Sequence, residues 1–509
     1  MRVLLIGVDG LTLRIVKPLM AQGLLPHLRQ IYEGGTHALL QAPLPPAAIT
    51  RWQAIVTGLP PKRQGLIPGY DGCDRCLLQV VASPPVSLSS RHQEQEDEPL
   101  WNLLSAWGRR VIVANVPATY PPCPINGIML SGPPAPAFYA GLTYPPDFAV
   151  RLLEVIPDYQ LMPTWRGVAS WFREPLAEIR RLLEERRALL NLLLREAWDC
   201  CLFVLQEIDL LQHLYWDRIL DLHSDVVACY VLLDELLGQA LAALQPSDLL
   251  ILLSPYSFQS IKRTFHLKEY LMRYTGEFLS PKAGNPSSQG VAGAGNWRGI
   301  DPWRVCGLRL LSQRLLPLPA RRRWRAAHLD GSLAEQEPAG PVLANRPFSL
   351  MPASSPLGGY ASIALADYLT ERHIEDLIAD LQAQVDPVTA YPAIGDIYRE
   401  EACATGGTSA LPAKPRRRLM LLAHDGVLLS QATGRRHVWS AGTPYCGMHH
   451  PDGLLCLYGA GLARAVLKPV SAYDIVPTVL TALKVPVPAH LSGRLLLGSG
   501  APLASPSSI

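Results

Sequence analysis

The chain has 509 residues, 49% of them apolar and 17% charged, with a formal net charge of +3. That composition excludes a disordered chain, and so small a charge over such a length gives no expectation of a nucleic-acid partner. No apolar run approaches the roughly 20 residues that a spanning helix needs, so no membrane segment is expected.

Val3 to Val8 reads as a first strand, without the small-residue cleavage pattern of a leader. Arg14 to Tyr32 has a helical pattern that Pro18 and Pro26 must end or break. Trp101 to Trp107 predicts a helix and Arg110 to Asn115 a strand. Leu176 to Trp198 is amphipathic with charges on its wet face, and Pro175 suits a helix start. Cys201 to Leu205 predicts a strand and Ser224 to Leu244 a helix. Leu249 to Leu253 is an unbroken aliphatic run, as in a strand buried on both faces. Strands separated by helices imply βαβ units, hence an α/β fold with a mostly parallel sheet and helices on both faces.

Residues 280–360, rich in Pro, Gly, Ser and Arg, read as an irregular insert or cap, with a basic run from Arg321 to Arg325. Beyond them Glu371 to Gln384 predicts a helix, and regular pattern returns at Leu419 to Ala423 and Leu454 to Tyr458. Tyr473 to Leu483 predicts the last helix, and residues 498–509 a flexible tail. The expected organisation is a discontinuous core, 1–279 with 361–497, around the insert. The ten cysteines are scattered; Cys73 and Cys76 have no second pair at zinc-site spacing, and Cys200-Cys201 opens an apolar strand. Reduced thiols in a cytoplasm are the expectation.

In open α/β sheets the chemistry sits beyond the carboxyl ends of the strands. Asp9 follows the first strand, Asp209 and His213 follow Cys201 to Leu205, and His449 and His450 precede Leu454. Aspartate and histidine four apart share one face of a helical turn and can grip a metal if a third ligand arrives from elsewhere. After Leu253, where another such group would sit, the chain reads Ser254-Pro255-Tyr256-Ser257.

These residues resemble the type I phosphodiesterase/nucleotide pyrophosphatase family of the alkaline phosphatase superfamily. The resemblance is carried in order by Val3 to Gly10, Pro45-Pro46 through Trp52 to Gly58 with Pro61-Lys62, and Asn115 to Pro122 with Asn126-Gly127. Asp209 to Trp216, His449 to Gly453 and Tyr473 to Thr478 continue it. It implies an alkaline-phosphatase-like core and two metal ions, often zinc, that activate a threonine or serine nucleophile. By position, one metal takes Asp209, His213 and His449. The other takes Asp9, the nucleophile and an Asp-His pair.

Two of those positions depart from the family. The Asp-His pair falls on Pro255 and Tyr256, and the nucleophile, counted back from Gly58, on Ala48. The family's His-Gly falls on Gln64-Gly65. Thr50 could supply a hydroxyl if the loop shifted, or could be a loop residue or helix cap; Asp425 is out of order for a ligand. Asp9 is left as a remnant that could pair with Lys or Arg or cap the helix near Thr12. The expectation is one divalent metal, zinc or manganese, and no second.

Three functions follow. The first is an impaired or pseudo-enzyme that binds a phosphorylated small molecule or a protein. The second is a phosphoester hydrolase using one metal with water or Thr50. The third is an interaction scaffold built on the insert.

Overall fold

The structure, a computed structural model, describes residues 1–41, 43, 48–60, 98–133, 135, 141–163, 175–279, 348–350, 359–402, 416–431, 434–441 and 446–497. The expectations placed on Pro45-Pro46, Pro61-Lys62, Gln64-Gly65, Cys73, Cys76, Arg321 to Arg325, most of the insert and the tail lie outside the described residues.

Val3–Val8 is the centre of the main sheet. It runs parallel to Cys200–Leu205 on one side and to Leu249–Ser254 on the other. Val111–Ala114 and Gly127–Leu130 extend the parallel part beyond Cys200–Leu205. On the opposite flank Asp452–Gly459 pairs antiparallel with Leu249–Ser254 and then with Thr36–Gln41. The aliphatic runs require this central placement, because their alternate side chains need apolar cover on both sides. Leu4, Ile6 and Val8 pack in one core with Cys201, Phe203 and Leu205, while Val3 and Leu5 pack in another with Cys200, Leu202 and Val204. Helices Pro175–Leu194, Glu207–Leu220 and Ser224–Ala242 cover the first face, and Ala48–Thr57 with Ile475–Ala482 the second.

The helical stretch from Arg14 to Tyr32 resolves into Leu13–Ala21, which keeps Pro18 inside, and Pro26–Gly34, which begins on its proline. Ala48–Thr57 forms a helix that no pattern announced, since all ten of its residues are buried and none marks a wet face. Arg416–Ala423 joins a second, antiparallel sheet with Phe348–Leu350, Tyr360–Leu365 and Ile394–Ala402. Ile363, Leu419 and Leu421 of that sheet meet Ile374, Leu377 and Leu381 of the helix Glu371–Gln382 in a core of their own.

Candidate metal centre

The helix Glu207–Leu220 starts one residue past the strand Cys200–Leu205, at the carboxyl end of the sheet. Its first turns therefore carry Asp209 and His213 to the place where α/β sheets keep their ligands. The third member arrives on a two-stranded ribbon, Gly447–His450 paired antiparallel with Ser257–Ser260, in which His449 lies opposite Phe258. The Cys446 amide donates to the His213 carbonyl at 3.1 Å, and Gln212 Nε2 donates to the Gly10 carbonyl at 2.7 Å. Helix, ribbon and first-strand end are thus fixed to one another. Gly10 has φ +76°, and a Cβ there would stand 2.6 Å from Gln212 Nε2 and 2.7 Å from the Phe258 ring.

Asp209, His213 and His449 come together, the set that the family resemblance implies. Asp209 Oδ1 lies 2.9 Å from His449 Nε2, Asp209 Oδ2 lies 3.4 Å from His213 Nε2, and the two Nε2 atoms are 3.1 Å apart. All three side chains are buried. Ligands about 2.0–2.1 Å from a tetrahedral zinc stand roughly 3.3 Å from one another, so these spacings fit a first-row divalent ion. His213 Nδ1 lies 2.9 Å from the Gly447 carbonyl, which can only accept. The carbonyl therefore holds a proton on Nδ1, which leaves Nε2 as the atom that can give a metal its lone pair. Burial pushes the Asp209 carboxyl up, but the charges and hydrogen bonds of His213 and His449 outweigh it and hold the group well below the usual carboxylate range. It is an anion here, as a ligand must be.

Asp9 belongs to a different environment. Its Oδ1 accepts from Trp52 Nε1 at 2.8 Å, its Oδ2 from Gln206 Nε2 at 3.5 Å, and the Tyr256 hydroxyl also bonds to it. Burial, and next the charge of Asp209, push its carboxyl well above the usual range, against the pull of those three bonds. The expected alternatives for Asp9 give way to this arrangement. It makes no ion pair with Lys or Arg among the described residues, and the helix Leu13–Ala21 has no side-chain cap. Aromatic and amide donors meet its oxygens instead, because the indole of Trp52 reaches across the central strand. A Cβ on Gly7 would lie 2.1 Å from Trp52 Cη2, so glycine is needed there for close approach.

Of the three positions expected to be degenerate, Pro255 and Tyr256 lie beside this group. Pro255 and Tyr256 follow Leu249–Ser254, and the Tyr256 ring stacks on His449 with centroids 4.0 Å apart. Ser254 Oγ donates to the Tyr256 carbonyl at 2.6 Å and accepts from the Leu11 amide at 3.0 Å, fixing the bend. Ala48 is the first residue of its helix, with its methyl in the core, and Thr50 is buried in the same first turn. Sequence reasoning missed Arg51. Only 2% exposed, it donates from Nη1 to the Pro255 carbonyl at 2.7 Å and the Pro451 carbonyl at 3.1 Å, and its guanidinium lies 5.5 Å from the Tyr256 ring. Burial lowers its pKa to about 10. The signal available in the sequence was the one charged residue of the decapeptide Ala48–Thr57.

A mostly parallel sheet with a carboxylate-imidazole group past its strand ends is the alkaline-phosphatase-like α/β fold. The type I phosphodiesterase/nucleotide pyrophosphatase family matches residues 3–302, more than half of the chain, and the chain belongs to that family. No curated protein matches in sequence. Among solved structures, phosphonoacetate hydrolase from Sinorhizobium meliloti in complex with phosphonoformate is similar at 13% identity and a TM-score of 0.50, over 94% of this chain and 95% of that one. An inactive murine ectonucleotide pyrophosphatase/phosphodiesterase 5 in complex with AMP is similar at 11% identity and a TM-score of 0.46, over 97% of each chain.

Proposed function

We propose that this chain is a phosphodiesterase-family protein that keeps one divalent-metal site and has lost the family's two-metal phosphoryl chemistry. In this reading Asp209, His213 and His449 hold a single zinc or manganese ion, which supplies a Lewis acid for a phosphoryl oxygen. Asp209 brings the negative charge, and the Gly447 carbonyl keeps His213 in the metal-binding tautomer. The ligand is a phosphorylated small molecule, bound without efficient turnover. One observation carries the reading: Asp9, the remaining residue of the other half, is engaged by Trp52, Gln206 and Tyr256, with Tyr256 stacked on His449. A paired metal site with its nucleophile accounts for much of a barrier reduction of about 10–20 kcal/mol, so losing it removes most of the rate. Ala48 offers no nucleophile, and Thr50 is buried in a helix turn.

The proposed organisation is a core of 1–279 with 361–497 around an insert at 280–360. The proposed location is a cytoplasm, which the buried free thiols of Cys200, Cys201, Cys229 and Cys456 support. Among the described residues no helix is long and apolar enough to cross a membrane. The scaffold alternative rests on the Arg321 to Arg325 run, outside the described residues.

The test is metal content by elemental analysis, with turnover of bis-p-nitrophenyl phosphate and nucleotide diesters beside an Asp209→Ala control. One bound ion, with no turnover above the control, is expected. Robust turnover abolished by Asp209→Ala would overturn the reading in favour of a one-metal hydrolase.

A further inference from the structure

A cavity of ≈ 430 Å³ opens beside the Ser257–Ser260/Gly447–His450 ribbon; Ser257 to Ser260 and His450 line it, and Asp209, His213 and His449 do not. Phe258 and His449 pack against His213, while His450, the next residue along that strand, lines the cavity. The Phe258 ring stands between the two places, packing on both imidazoles and lining the cavity wall.

One wall is the chain from Leu11 to Arg14, at the start of the helix Leu13–Ala21. Ile15 and Val16 both donate to the Thr12 carbonyl, and the Leu13 and Arg14 amides ahead of them have no acceptor within the helix. Thr12 holds the N-cap position yet its side chain makes no capping bond. It is 5% exposed, it lines the cavity, and its hydroxyl has no partner among the described residues. With no protein acceptor among those residues and the rest of its side chain buried, that hydroxyl is free to donate to a group in the cavity. Arg14 and Lys262, both exposed, add two cations that no carboxylate neutralises among the described residues. Asp425 and Asp452 also line the cavity, but they are 68% and 54% exposed and stand at 4.0 and 3.8 Å from His450. They form a solvated lip around a donor-rich floor.

We infer that this cavity is an oxyanion-binding subsite, separate from the metal centre, which takes a phosphate-type group on the Thr12 hydroxyl, the Leu13 and Arg14 amides and the Arg14 and Lys262 side chains. Helix N-termini with free amides receive such groups because the aligned peptide dipoles favour negative charge. The lip carboxylates oppose a bare dianion, so a ligand with a positive group beyond its phosphate fits the cavity better than phosphate itself.

The probe is inorganic phosphate, titrated into chelator-treated full-length protein and followed by ³¹P line broadening. Saturable binding is expected, weakened at least about tenfold by Thr12→Val with Arg14→Met, because charge-assisted bonds are lost. Thr12→Ser should retain it, and Asp425→Asn with Asp452→Asn should strengthen it. Asp209→Asn, at the metal centre, should leave it unchanged. No saturable binding, equal binding in the Thr12/Arg14 variant, or loss in Asp209→Asn would each overturn the subsite. None of these results depends on whether the metal centre is loaded or active.

Discussion

Three carboxylate, imidazole and indole contacts set the character of the site at the scale of single residues. Asp209 is ionised and shared between two imidazoles, so removing it strips charge and geometry together. Asp209→Ala should weaken zinc binding by at least about a hundredfold, the upper end of what losing even a supporting group costs, measured by chelator competition. Unchanged affinity would exclude this cluster as the metal site. Asp9 works in the opposite sense. Its folded-state pKa lies above the ordinary 3.8, so the stability it contributes is complete below that value and is lost as pH rises through the folded one. Asp9→Asn keeps an acceptor for Trp52 without the buried charge. The stability of the variant relative to the parent should therefore rise as pH is raised above 3.8, read as the difference in Tm. A difference that stays flat across that range would mean that Asp9 is not raised. Asp209, held low, gives the mirror image: its contribution is present above 3.8 and lost on further acidification.

At the scale of elements, the central strand and the helix Ala48–Thr57 are coupled through one contact. Trp52 fills the space that a side chain at Gly7 would need, and its N–H meets Asp9 two residues further along the strand. Gly7→Ala forces the indole aside and should destabilise the fold by about 3 kcal/mol, seen as a lower urea midpoint at unchanged slope. A neutral result would show that the indole relocates freely. This coupling also marks where the sequence was legible. Val3–Val8, Cys200–Leu205 and Leu249–Ser254 could be read because unbroken aliphatic runs have few homes other than the middle of a sheet. Asp209 and His213 were readable because a spacing of four is a local property of a helix. The partnership of Trp52 with Asp9 was not, since it joins residues 43 apart and depends on a glycine that only the fold brings opposite. The helix around Ala48 escaped for a related reason: burial on every side erases the period that would have announced it.

For the molecule as a whole, the question is whether the second half of the site could be rebuilt by restoring the residues the family pattern expects. Ala48→Thr, Pro255→Asp and Tyr256→His return a nucleophile and two ligands on paper. On the proposed reading, the neighbours of those positions also stand against a second ion. Trp52 still donates to Asp9, and Arg51 holds the Pro255 and Pro451 carbonyls with a buried guanidinium that has no carboxylate partner within ion-pair distance among the described residues. A fixed cation in low-dielectric surroundings opposes a divalent ion nearby by a few kcal/mol, on the order of the gain from one added ligand. The three-residue variant should therefore still bind one metal equivalent per chain by elemental analysis. Adding Arg51→Met, which removes the cation, and Trp52→Phe, which frees Asp9, should raise that to two. Two equivalents in the three-residue variant, or one in both, would show that Arg51 and Trp52 do not guard the half-site. The expected pattern places the barrier to two-metal binding in Arg51 and Trp52 as much as in Ala48, Pro255 and Tyr256.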